Sequence, residues 1–130
     1  MNDRFAIDLR AKVDSVHPDA SGRLDRIDEL PDSAGKMIVN ILLAEACQSQ
    51  HIGKIMAARK VMLTLPRAWL SRVLQDTIKE VVDLSDEWEY RRLMELLKDL
   101  QSNLYKTYID FGIAAGSGEI FEAATDLRSR

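Results

Sequence analysis

Cys47 and His51 stand four residues apart with Glu45 just ahead of them, the tightest grouping of reactive side chains in a chain of 130 residues. On one continuous helix that spacing puts a thiol and an imidazole on the same face, as a nucleophile and its base, or two metal ligands, require. A tetrahedral metal site takes three or four ligands, however, and the sequence holds one cysteine and two histidines. Cys47 also lies in an apolar run, where a cysteine packs as a small hydrophobe. The sequence contains no phosphate-cradling glycine loop, GxSxG elbow, HExxH, CxxC or EF-hand loop, and no paired E-x-x-H of the di-iron bundles. The expectation is a chain that is not an enzyme and takes no cofactor and no metal.

A second grouping points to binding. Arg67, Trp69, Arg72, Trp88, Tyr90, Arg91 and Arg92 gather in one stretch, and Trp, Tyr and Arg dominate the hot spots of protein interfaces. These are the expected protein-binding residues. Both tryptophans also lie on or beside apolar helix faces, so core packing competes for them. Glu87–Arg91 and Glu89–Arg92 have the spacing of ordinary helix-surface pairs, worth a few tenths of a kcal/mol.

The elements that carry these residues are two amphipathic segments joined at Leu84-Ser85. The first begins at Pro66, whose missing N–H costs nothing in a first turn, and turns Trp69, Leu70, Val73, Leu74, Ile78, Val81 and Val82 inward. The second is capped by Ser85 or Asp86 and runs to Phe111, stopped by Gly112. At about 1.5 Å per residue it is a spine of roughly 39 Å. Its stripe is Trp88, Leu93, Leu97, Leu100, Leu104, Tyr108 and Phe111.

Upstream, Phe5, Leu9, Val13 and Val16 mark a narrow amphipathic helix from Asp3 to Val16. His17-Pro18-Asp19 to Gly22 is a break and the one candidate hinge, and the polar helix of residues 1–22 either docks on the body to become ordered or stays mobile until a partner covers it. Leu24, Ile27 and Leu30 give two turns of helix ended by Pro31. Asp32 or Ser33 then caps the central core helix, whose MIVNILLAEAC is apolar nearly all round. Asn40 and Glu45 interrupt it and must reach the surface or find partners. A helix over His51–Leu65 turns Ile52, Ile55, Met56, Met62 and Leu63 inward, with Gly53 weakening its start. After Ile113–Gly116, Ser117 caps a last helix that buries Ile120, Ala124 and Leu127.

Composition fits that plan. A hydrophobic content of 46% is enough for a single domain, 1–130, to build a core without metal or disulfide. No period-two alternation is present, so the fold class is all-α. The single cysteine excludes an intrachain disulfide, and with no apolar leader or membrane-length run the expectation is a cytoplasmic, soluble chain with no membrane contact. A net charge of −3 argues against a nucleic-acid partner. Charge is uneven, with six bases against two acids over 51–82, a basic middle between acidic ends.

Breaks recur about every 35 residues, near the period of α-solenoids. LPDSAGKMIVNILLAEA, the Pro66 junction and GSGEIFEAATDL resemble pieces of HEAT or armadillo-type units, which implies a short helical array over residues 32–128. An irregular bundle of about 6–7 helices has the same periodicities. Either architecture suits a helical protein–protein interaction domain, binding another protein or itself as a homodimer. The alternative is a bundle that senses or carries a small apolar ligand. The basic-patch reading predicts that inverting the charge of Arg67 and Arg72 together weakens partner binding without altering far-UV circular dichroism; unchanged binding contradicts it.

Overall fold

The computed structural model describes residues 4–130, which form helices, turns and loops with no strand among them. Among these residues the α-helices are α1 (Arg4–Val16), α2 (Asp32–Ala46), α3 (Ile52–Met62), α4 (Arg67–Val81), α5 (Glu87–Asp99), α6 (Leu104–Ala114) and α7 (Gly118–Arg128). Two 3-10 segments, Ala20–Gly22 and Leu24–Glu29, lie between α1 and α2. The fold is all-α. The Asp3 start expected for the first helix lies outside the described residues.

The hub is α2. Ile38, Val39, Leu42, Leu43 and Ala46 are fully buried, because the helix packs against α1, α3, α4 and α5; Lys36, Met37 and Ala44 stay exposed, so one edge of this helix, expected to be buried nearly all round, faces water. Its polar interruptions are answered from those neighbours. Asn40 Nδ2 donates to Glu80 Oε2 of α4 at 2.9 Å, while Glu45 pairs with Lys12 of α1 and accepts from Gln48 Nε2 at 2.8 Å. Asn40 Oδ1 is buried without a partner. Gly35 lets α4 come close, since a Cβ there would stand 2.8 Å from Trp69 Cζ2. On the other side Leu9 and Val13 dock α1, which packs on α2 and α3.

Breaks between elements follow local chemistry. Asp19 takes φ 59° at the turn after α1, and Asp14 holds that turn by accepting from Ser21 N at 2.8 Å and Ser21 Oγ at 2.9 Å. Where two turns of α-helix are expected over Arg23–Leu30, the chain is 3-10 and leaves helical geometry at Arg26. Asp86 caps α5 as expected, accepting from Trp88 N and Glu89 N at 3.0 Å each.

The continuous spine from Asp86 to Phe111 does not form. α5 ends at Asp99, Gln101 adopts φ 54°, and Ser102 N donates back to Leu97 O at 3.0 Å, a left-handed closure of the kind glycine usually provides. Ser102 Oγ then accepts from Leu104 N at 3.1 Å and starts α6. Arg67, at the head of α4, donates to the Leu100 carbonyl at 2.5 Å, placing a cation at the negative end of α5. Leu100 and Leu104 keep helical spacing across the break, so periodicity alone reads one helix.

Gly112 is likewise not a stop. It is buried within α6, and a Cβ there would stand 2.5 Å from Ala124 Cβ and 2.6 Å from Tyr90 Oη. Tyr90 Oη donates to Tyr108 O at 2.7 Å, so one buried side chain of α5 meets the point where α6 and α7 touch. Alanine at position 112 would gain up to about 1 kcal/mol of helix propensity but overfill this contact at a cost of about 1–3 kcal/mol. Gly112→Ala is therefore expected to lower the urea midpoint; an equal or higher midpoint contradicts the packing described.

Candidate functional site

Helix α2 ends before His51. Cys47 follows its last residue, and His51 adopts φ 63° ahead of α3, so the thiol and the imidazole are not carried on one continuous helix. Cys47 is buried, and burial first, with the Glu89 carboxylate adding to it, pushes its thiol up to about 12. A thiol held protonated in this way is a poor nucleophile and a poor ligand. Among the described residues no group of three or more His, Cys, Asp and Glu is placed to hold a metal ion, and no helix is long and apolar enough to cross a membrane.

The seven aromatic and arginine residues are dispersed by the fold. Trp69 packs in the core over Gly35, and Tyr90 is fully buried; neither presents a surface. Arg67 is taken up at the end of α5, so inverting its charge would remove a cap as well as a surface cation. Arg91 pairs with Glu87 at 2.8 Å and approaches Asp126 of α7 at 3.8 Å. Arg72 lies at the surface beside Asp32, Lys36 and Asp76. Only Trp88 and Arg92 are found together at the surface, with the Arg92 guanidinium 5.6 Å from the Trp88 ring centroid, a cation–π contact.

These two begin a larger feature. Trp88, Arg92, Glu95 and Asp99 follow steps of four, three and four residues along α5. Ile52, Met56, Arg59 and Leu63 follow the same steps along α3, so each set forms one stripe. The stripes are joined by Arg59, which reaches Glu95 Oε1 at 3.2 Å and also pairs with Asp99. Arg92 holds the same Glu95 oxygen at 3.2 Å. The backbones of α3 and α5 scarcely approach each other, so the Arg59 side chain spans the gap; its Nε and that of Arg92 are buried without partners.

The same two stripes also carry exposed apolar side chains. Ile52 is 59% exposed, Met56 52%, Trp88 52% and Leu63 38%. Three of these correct the sequence reading, which turned Ile52, Met56 and Leu63 inward. Ile55 and Met62, expected inward, do face the core, together with Ala58, and α1 closes on the flank at Gly53, where a Cβ would stand 2.3 Å from Phe5 Cε2. Gly53 therefore sets how α3 is turned. Trp88, assigned above to the buried stripe of α5, is also outside the core.

Surface depressions flank the helices, among them one of about 440 Å³ between α1, α3 and the 3-10 segments. Compared with known protein families, curated proteins and solved structures, the chain matches none.

Burial also pushes the Tyr90 hydroxyl up to about 12. Both acids stay protonated in the folded chain, while the unfolded chain ionises them near their ordinary values of 9.0 and 10.0. Their contribution to stability is complete below pH 9 and is lost as pH rises toward 12. Denaturation midpoints should fall across that range, and fall less in Tyr90→Phe. At pH 8 Cys47 should react with a disulfide reagent only as fast as the protein opens; rapid native-state reaction contradicts the burial.

Proposed function

We propose that this chain is a non-enzymatic helical interaction domain that docks another protein on the face shared by α3 and α5. The observation that carries the reading is the exposure of Ile52, Met56, Leu63 and Trp88 around the Arg59 bridge. Scattered apolar residues are normal on any surface, whereas exposed apolar residues, one a tryptophan, on two stripes tied together by an ion-pair bridge have the makings of an interface. The arginine bridge supports the same reading. A preformed network holds Glu95, Arg92 and the Trp88 ring in place, so docking orders fewer side chains.

A second copy of this chain is the first partner to test, since the face carries both signs of charge beside its apolar ridge. The HEAT-like reading belongs to the same proposal, with α2–α3 and α6–α7 as paired neighbouring helices. The single buried thiol agrees with a reducing, cytoplasmic setting.

Solution mass by light scattering across a dilution series tests the proposal. The wild-type chain is expected to exceed its 14.7 kDa monomer mass as concentration rises, and Met56→Glu with Trp88→Ala to stay monomeric with unchanged circular dichroism. Association that survives both substitutions places the interface elsewhere. A wild-type chain monomeric at every concentration removes self-association and leaves a heterologous partner to be sought on this face.

A further inference from the structure

The depression of about 440 Å³ between α1, α3 and the 3-10 segments has a different chemistry from the α3/α5 face. Its apolar lining is Ala6 from α1, Leu24 from the 3-10 segment, and Ala57 and Val61 from α3. Alanines at two of these positions leave space that a longer side chain would fill. Gly22, at the edge, has open space where a Cβ would stand.

Cations come from both walls. Arg10 lies one helical turn beyond Ala6 on α1, and Lys60 lies beside Val61 on α3, both lining the depression and both exposed. Neither makes an ion pair with any described residue. Two like charges facing one concavity repel each other, and an anion seated between them would relieve the repulsion. Asp25 is the one acid in the lining and reduces the local excess to a single positive charge. Ser21, also in the lining, has its backbone N–H and hydroxyl committed to Asp14.

We propose that this depression binds a small amphipathic monoanion, a carboxylate on a short alkyl body. The carboxylate lies between Arg10 and Lys60, and the alkyl body covers Ala6, Leu24, Ala57 and Val61. A carboxylate on an alkyl chain suits the site better than phosphate, which has no apolar body for the lining and whose second charge costs more to desolvate beside it. The apolar lining adds affinity in proportion to the alkyl surface removed from water. The site stands apart from the Ile52, Met56 and Trp88 surface, so it does not rest on the docking proposal.

Octanoate is the probe, with octanol, acetate and inorganic phosphate as comparisons, followed by nuclear magnetic resonance of the 15N-labelled full chain. Octanoate is expected to shift the amides of Ala6, Arg10, Leu24, Ala57 and Val61 saturably. Acetate, which lacks the tail, and phosphate are expected to leave them unmoved. Arg10→Glu with Lys60→Glu should weaken octanoate about tenfold or more and leave the remaining spectrum intact, confirming the fold. Ala57→Leu, which fills the floor and keeps both cations, should block octanoate as well. The assignment is overturned by any of four results: no saturation, shifts centred on Ile52 and Trp88, octanol binding as tightly as octanoate, or saturation at these amides by phosphate.

Discussion

The chain reversal at Leu100–Asn103 is the constraint on which the carboxyl-terminal half depends. If α5 continued as a rod, Tyr90 would be carried far from Gly112 and the apolar sides of α6 and α7 would have nothing to cover them. The left-handed Gln101, the Ser102 contacts on either side of it and the Arg67 guanidinium on the Leu100 carbonyl end one helix and begin the next within four residues. Tyr90 can then place its ring against Gly112 and its hydroxyl on the Tyr108 carbonyl. A buried hydroxyl that has found its acceptor costs little, and one that has lost it costs about 1–3 kcal/mol, so the tyrosine favours this arrangement over alternatives that leave it unpaired.

The amino-terminal half is organised by a different rule. There α2 is apolar over most of its surface, and α1, α3 and α4 cover it except along Lys36, Met37 and Ala44; two glycines decide how closely these elements approach. Gly35 admits the Trp69 ring and Gly53 admits the Phe5 ring. The second has the larger consequence for function. By seating α1 against the flank of α3 it leaves Ile52, Met56 and Leu63 outside the core, next to the charged stripe of α5. The face proposed for docking is thus a by-product of which side of α3 the core has already used.

Much of the fold could be read from the residue pattern. MIVNILLAEAC marks α2 as central because its apolar residues outnumber what one face can hold, although Met37 and Ala44 still meet water; the Asp86 cap has the expected side chain with acids behind it, and Pro31 and Pro66 stand just ahead of α2 and α4. The break after Asp99 was hidden. Leu100 and Leu104 preserve helical spacing and the turn holds neither glycine nor proline; the available signal was Ser102-Asn103, residue types that favour helix starts. The placement of the candidate binding residues was less legible still. Burial of Trp69 and Tyr90 and exposure of Trp88 depend on partners distant in sequence, and α3 has apolar residues on two sides, so its spacing cannot say which side faces inward. The matching four-three-four steps on α3 and α5 become meaningful only once Arg59 is seen to join them.

Contacts between Tyr90 and the α6–α7 pair test this account most directly. Residues 90 and 112 would be about 33 Å apart along an unbroken helix, beyond the reach of the nuclear Overhauser effect. The reversal predicts strong Overhauser contacts from the Tyr90 ring to the Gly112 α-protons and the Ala124 methyl group. Their absence, with helical connectivities running without interruption through Leu100–Asn103, would contradict it.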